Sequence, residues 1–189
     1  MAKVLFLKAE YEIAAALRHH MALRSYVELV ADNIEKTSYS GYPLRMSERL
    51  VLLQLEDDWQ MDGIRVFPID RLAAVIHDQR TLNRQAILEW MGVDRAARLD
   101  WIDLSSFESF FLSAQARGET VSVEDDDCLE VGVVDSVGTS TVTLRLLDVA
   151  GAWVAEPDEF PFEDILMVGI GSRYSRVLRA YADRDPPQG

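Results

Sequence analysis

Apolar residues along this chain follow two rhythms, one helical and one of period two, and the same succession of rhythms occurs twice. Ile13, Leu17 and Met21 stand at i, i+4 and i+8, which predicts a helix with one apolar stripe over residues 11–21. In the second half Phe107, Phe110, Phe111 and Ala114 stand at i, i+3, i+4 and i+7, behind a Ser105-Ser106-Phe107-Glu108 capping-box pattern and ahead of Gly118 as a stop. After each helix, apolar segments bounded by polar turns predict strands over 26–30 and 34–39, and again over 120–123 and 129–135. Ser40-Gly41-Tyr42-Pro43 reads as a long turn and Ser136-Val137-Gly138-Thr139 as a tight hairpin. A third strand covers 51–55 or 142–146, and in the second copy Val142, Leu144 and Leu146 share one face while Thr141, Thr143 and Arg145 share the other.

The correspondence continues beyond these strands. Each copy then runs through an acidic loop to a tryptophan (Trp59, Trp153), a Phe-Pro pair (Phe67-Pro68, Phe160-Pro161), an apolar stretch (72–76, 165–170) and a short helix. Third strand, tryptophan and proline are displaced by 91, 94 and 93 positions, a period too long for a solenoid unit and suited to a duplicated module. In the closing helices Asn83, Ala86, Ile87 and Trp90 match Tyr174, Val177, Leu178 and Tyr181 at an offset of 91, and these residues are the expected docking faces. His77-Asp78-Gln79 stands where the second copy has Gly171-Ser172-Arg173, so no shared role is expected of that turn. The predicted organisation is one helix-plus-strand repeat over 1–92, a second over 93–182, and a disordered tail over 183–189.

Five short strands at close spacing, with helices before and after them, predict an α+β chain of strongly bent small barrels. Gly132-Val133-Val134, residues 141–148, Gly151-Ala152-Trp153, Phe160-Pro161-Phe162-Glu163-Asp164-Ile165 and Gly171-Ser172-Arg173-Tyr174 together resemble the Sm-like and SH3-like small barrels. The resemblance covers the last 70 or so residues well and 26–90 more loosely, and it concerns shape. It implies two tandem small five-stranded antiparallel SH3-like/Sm-like barrels, each flanked by short helices. Members of that group bind either RNA or proteins, so the resemblance implies no single activity.

Charge narrows the partners. The net charge of −13 divides into −3 over residues 1–94 and −10 over 95–189, which repels nucleic-acid backbones and favours basic partners. No apolar run approaches the roughly 20 residues of a membrane span, and the single cysteine, Cys128, forms no internal disulfide, so a cytoplasmic protein is expected.

Candidate chemistry lies in the acidic loops. Alternate hairpins of a meander share one end of the sheet, which predicts that Glu124, Asp125, Asp126 and Asp127 lie beside Asp148, Glu156, Asp158 and Glu159. In the first copy the same end gathers Asp32, Glu56, Asp57, Asp58 and Asp62. Asp57, Asp58, Asp125, Asp126, Asp127, Glu156, Asp158 and Glu159 are the expected partner-binding residues. Residues 124–130 lack the alternating carboxylates and central glycine of a calcium loop. His19-His20, with His77 distant, has no zinc-ligand spacing. Cys128 follows three carboxylates that disfavour its thiolate, and no Gly-x-Ser-x-Gly elbow occurs. Gly169-Ile170-Gly171-Ser172 resembles half a phosphate cradle, but helix capping accounts for the serine. Trp59 and Trp153 are expected to cover the open ends of their cores.

The expectation is therefore a non-enzymatic, acidic protein-binding module without cofactor or metal, of which an inhibitor or immunity-type protein is one form. The alternatives are an RNA-binding protein, whose basic patch would come from Arg45, Arg49, Arg65 and Arg71, and a structural module. Self-assembly is open to either, since small sheets have edges to cover.

Overall fold

The structure is a computed structural model that describes residues 10–32, 37–93, 99–126 and 128–184. Among the described residues it has four α-helices and ten strands, in two compact units, Met1–Asp100 and Trp101–Gly189.

Unit 1 runs α1 (Glu10–Leu23), β1 (Val27–Ala31), β2 (Ser38–Met46), β3 (Leu50–Asp57), β4 (Gln60–Pro68), a 3₁₀ turn Ile69–Arg71, β5 (Leu72–Ile76) and α2 (Gln79–Trp90). Its strands are antiparallel in the order β5-β1-β2-β3-β4. Unit 2 repeats the plan with α3 (Phe107–Arg117), β6 (Thr120–Glu124), β7 (Leu129–Val137), β8 (Thr141–Leu147), β9 (Asp158–Pro161), β10 (Met167–Ile170) and α4 (Arg173–Ala182), in the order β10-β6-β7-β8-β9. In both units the last strand lies against the first, as in the expected barrels, but among the described residues no ladder joins β4 to β5 or β9 to β10. Each unit is an open five-stranded antiparallel sheet, and the expected closure is not observed.

Each core follows from the pattern. Ile13 and Leu17 of α1 are buried with Val27, Leu29, Leu52, Leu53, Val66 and Phe67. In unit 2 Phe107, Phe110, Phe111 and Ala114 are all buried, and Phe111 stacks on Phe162 at 5.8 Å between ring centroids. The cap of α3 is Ser106, whose hydroxyl accepts the Ser109 N–H at 3.1 Å, one residue later than the capping-box pattern suggests.

Ser40-Gly41-Tyr42-Pro43 is not a turn but lies inside β2, and the reversal comes at residues 47–49. Gly41 pairs with Leu55 and Gly132 with Leu146, at the repeat offset of 91. A Cβ on Gly41 would overlap the Gln54 carbonyl oxygen, and one on Gly132 would lie 2.5 Å from that of Arg145. Both copies thus need glycine where two strands approach closely. Pro43 is tolerated because the β1 ladder ends at Gly41 and a bulge follows between Pro43 and Arg45.

The closing helices turn the opposite way from the expectation. Asn83, Ala86, Ile87 and Trp90 are exposed, Trp90 to 86%, and so are Tyr174, Val177 and Tyr181, with only Leu178 of the predicted faces buried. The buried positions are Thr81 and Leu88 on α2, and Ser175 and Leu178 on α4. Thr81 and Ser175 correspond at an offset of 94, and so do the caps Asp78 and Ser172, which accept from the backbone N–H groups of Thr81 and Ser175. The turn expected to have no common role therefore caps a helix in both copies. At the far end Asp183 caps α4, and residues 185–189 of the expected tail lie outside the described residues.

Candidate functional site

Unit 1 holds a cleft of about 320 Å³ beside α2, lined by Tyr26, Glu28, Ser40, Glu56, Asp57, Asp58, Arg80, Thr81 and Arg84. Its floor is built on Glu56, near the end of β3, whose side chain is only 2% exposed. Arg84 grips this carboxylate through two hydrogen bonds, Nε to Oε2 at 2.8 Å and a terminal nitrogen to Oε1 at 2.6 Å. The Tyr26 hydroxyl donates to Oε2 at 2.7 Å and the Trp59 backbone N–H to Oε1 at 2.6 Å. Four donors on two oxygens satisfy a buried carboxylate.

Burial by itself would raise the Glu56 carboxyl, but the bonds from Arg84, Tyr26 and Trp59 and the Arg84 charge hold it below the usual carboxylate range. Burial, and then the hydrogen bond to Glu56, push the Tyr26 phenol well above its ordinary value. The bond to Glu56 likewise raises Arg84. Carboxylate, phenol and guanidinium are each locked in one protonation state around neutral pH.

The lip of the cleft is the two-residue turn from β3 to β4. Asp58 and Trp59 both have positive φ, +46° and +66°, as a type I′ hairpin requires, and Trp is a bulky residue for that region. Trp59 is kept there by its N–H bond to Glu56, by packing against Tyr26, Tyr42 and Leu88, and by the Arg84 guanidinium 3.3 Å from its ring centroid. A second ion pair, Arg80 with Glu28, spans the cleft wall.

Trp153 occupies a comparable setting in unit 2. It packs against Val131, Leu147 and Leu178 and carries the guanidiniums of Arg145 at 4.1 Å and Arg179 at 5.3 Å. Both indoles are half-buried over apolar clusters.

The expected partner-binding residues separate into two kinds. Asp57 and Asp58 are exposed on the cleft lip, and their side chains have no hydrogen bond or ion pair among the described residues. Asp126 and Glu156 are exposed on unit 2. Asp125 shapes its turn, accepting the Cys128 N–H at 2.8 Å, and Asp148 accepts the N–H groups of Ala150 and Ala152. Asp158 accepts from the Glu159 N–H, Glu159 accepts from the Thr141 hydroxyl at 3.3 Å, and Asp127 lies outside the described residues. Glu56 is not a solvated loop carboxylate but the buried centre of the cleft.

Sequence reasoning missed Glu28, Arg80 and Arg84. Two signals for them exist in retrospect, a carboxylate inside the apolar run Val27-Glu28-Leu29-Val30 and two arginines at i, i+4 on the helix that packs over it. The histidines also meet. His20 and His77 rings lie 4.6 Å apart, and the His77 Nδ1–H donates to the Tyr26 carbonyl at 2.9 Å. Among the described residues no three His, Cys, Asp or Glu side chains form a group able to hold a metal ion.

Of the arginines considered for an RNA surface, Arg45 and Arg65 lie on opposite faces of their sheet. Arg45 lies opposite Leu52 and Arg65 opposite Leu53, consecutive positions of β3 that face opposite sides of the sheet, and Arg45 donates to the Leu99 carbonyl at 2.6 Å. No helix among the described residues is long and apolar enough to cross a membrane. No family model, curated protein or solved structure matches the chain.

Proposed function

We propose that the chain is a non-enzymatic binding module, built from two small β-units of SH3-like or Sm-like type, that engages a basic protein partner at the unit 1 cleft. The observation that carries this reading is the lip of that cleft. Asp57 and Asp58 are exposed and have no partner among the described residues, whereas every other charge lining the cleft is already paired. Two uncommitted carboxylates beside a rigid, fully bonded floor suit a lysine or arginine side chain arriving from outside. Binding rather than catalysis fits the electrostatics, because neither Glu56 nor Tyr26 exchanges a proton near neutral pH. An inhibitor or immunity-type protein that covers a basic toxin or nuclease is the form that a net charge of −13 suits best.

The test is capture from the native host at low salt, comparing the natural chain with an Asp57→Lys, Asp58→Lys variant. A stoichiometric partner of high isoelectric point, kept by the first and lost by the second, is expected. Recovery of no such partner, or equal recovery by both chains, rejects the reading.

A further inference from the structure

Between Trp101 and Gly189 the chain has 17 acidic and six basic side chains, and all six basic residues are arginines. Four of them, Arg173, Arg176, Arg179 and Arg184, lie on α4 or its C-terminal turn, and a fifth, Arg145, lies against Trp153, which packs on α4 through Leu178. A random scatter over an acidic unit would not leave one helix with almost all its cations. We propose that the outward face of α4 is a docking surface for an acidic peptide segment of a partner protein that also carries apolar side chains.

Two observations beyond the arginine count support this. The buried stripe of α4 is formed by Ser175 and Leu178, and one flank of the exposed side presents Tyr174, Val177 and Tyr181 at i, i+3 and i+7, with Arg173 between this flank and Arg176, and Val177 is 62% exposed. That spacing is the one by which a helix presents anchors to a protein partner, and Tyr and Arg are the residue types that dominate such contacts. The second observation is an uncommitted guanidinium. Arg176 is exposed and has no partner among the described residues, unlike Arg179, which pairs with Asp183, and Arg184, which bonds the Tyr181 carbonyl and lies over its ring. Arg176 also borders a shallow depression of about 370 Å³ beside Glu119, Thr120 and Ser175.

The choice between acidic peptide and nucleic acid follows from charge and chemistry. A phosphate backbone carries a charge at every step and would be repelled wherever it left a patch only about 15 Å long on an otherwise acidic unit. A short segment in which a few carboxylates alternate with apolar residues, lying across the outward face, meets Arg173 and Arg176 on one side and the Tyr-Val-Tyr stripe on the other. This surface is opposite in sign to the unit 1 lip, so the two sites select different partners.

The measurement is fluorescence anisotropy of a labelled 14-residue peptide alternating Glu with Leu and Phe, at low salt, on the full chain. Saturable binding is expected, weakened about tenfold or more by Arg176→Glu or Arg173→Glu, several-fold by Val177→Ser, and not at all by the Asp57→Lys, Asp58→Lys variant. Both arginines are exposed, and unchanged circular dichroism verifies the fold of each variant. Three results each overturn the proposal: no effect of the arginine variants, equal affinity for a Glu-only peptide, or tighter binding of a 12-nucleotide oligouridine.

Discussion

The Arg84 guanidinium lies over the Trp59 indole at 3.3 Å from the ring centroid while its nitrogens hold both oxygens of Glu56. One side chain from α2 thereby fixes a strained hairpin tip and neutralises a buried carboxylate. Removing it leaves a charge with 2% exposure and fewer donors, a loss of about 3–5 kcal/mol for a buried pair broken on one side. Arg84→Ala is therefore expected to lower the urea midpoint of unit 1 strongly, whereas Arg80→Ala, whose side chain is 66% exposed, should cost much less. Equal effects of the two substitutions would show that the Glu56 network is not what holds the cleft.

Glycine at 41 and 132 offers a test of the duplication itself. An added methyl group meets a carbonyl oxygen of the facing strand in both units, so Gly41→Ala and Gly132→Ala should each destabilise by more than about 2 kcal/mol. A control is Gly138→Ala at the β7–β8 turn, where the nearest atom would be the Thr141 hydroxyl at 3.1 Å, and a smaller loss is expected in the same denaturation assay.

Much of the fold was legible because apolar periodicity reports burial where the buried residues are apolar. The Phe107-Phe110-Phe111-Ala114 stripe and the strands at 51–55 and 142–146 are of this kind. The closing helices failed for the converse reason. Their inner faces bury Thr81, Ser175 and much of Arg84, which are satisfied by caps and an ion pair, so the more apolar sides of α2 and α4 are left in solvent. Residues 40–43 misled because glycine and proline usually mark turns, whereas here they serve close strand packing and the end of a ladder. In the cleft, Asp57 and Asp58 were legible as acidic loop residues, but Glu56 was hidden beside them: a run of three carboxylates does not show which one faces inward.

Association with a basic partner should depend on Asp57 and Asp58 mainly through rate. Charges on the lip of a site steer the approach and are screened beyond about 8–10 Å at physiological salt. Asp57→Asn with Asp58→Asn is expected to slow association of the captured partner about tenfold at low salt and to flatten its salt dependence, with a smaller effect on dissociation. Stopped-flow or surface-resonance kinetics separate the two, and an unchanged association rate would place the contact elsewhere.

Acid should destabilise unit 1 in two stages. Burial, reinforced by the neighbouring His77 and His19, lowers His20 from 6.5 to about 4, and its buried Nδ1 has no hydrogen-bond partner among the described residues. The unfolded chain therefore takes up a proton at this residue near pH 6.5 that the folded chain refuses until about pH 4, so stability is complete above 6.5 and falls as pH drops through that window. Glu56 acts lower down. Its folded value lies below 4.5, so its contribution is present above 4.5 and is lost only as pH falls through the depressed value. His20→Gln should flatten the urea-midpoint profile between pH 6.5 and 4 while leaving the steeper loss below 4.5 in place. A profile in the variant that still declines between 6.5 and 5 would assign that stage to another group.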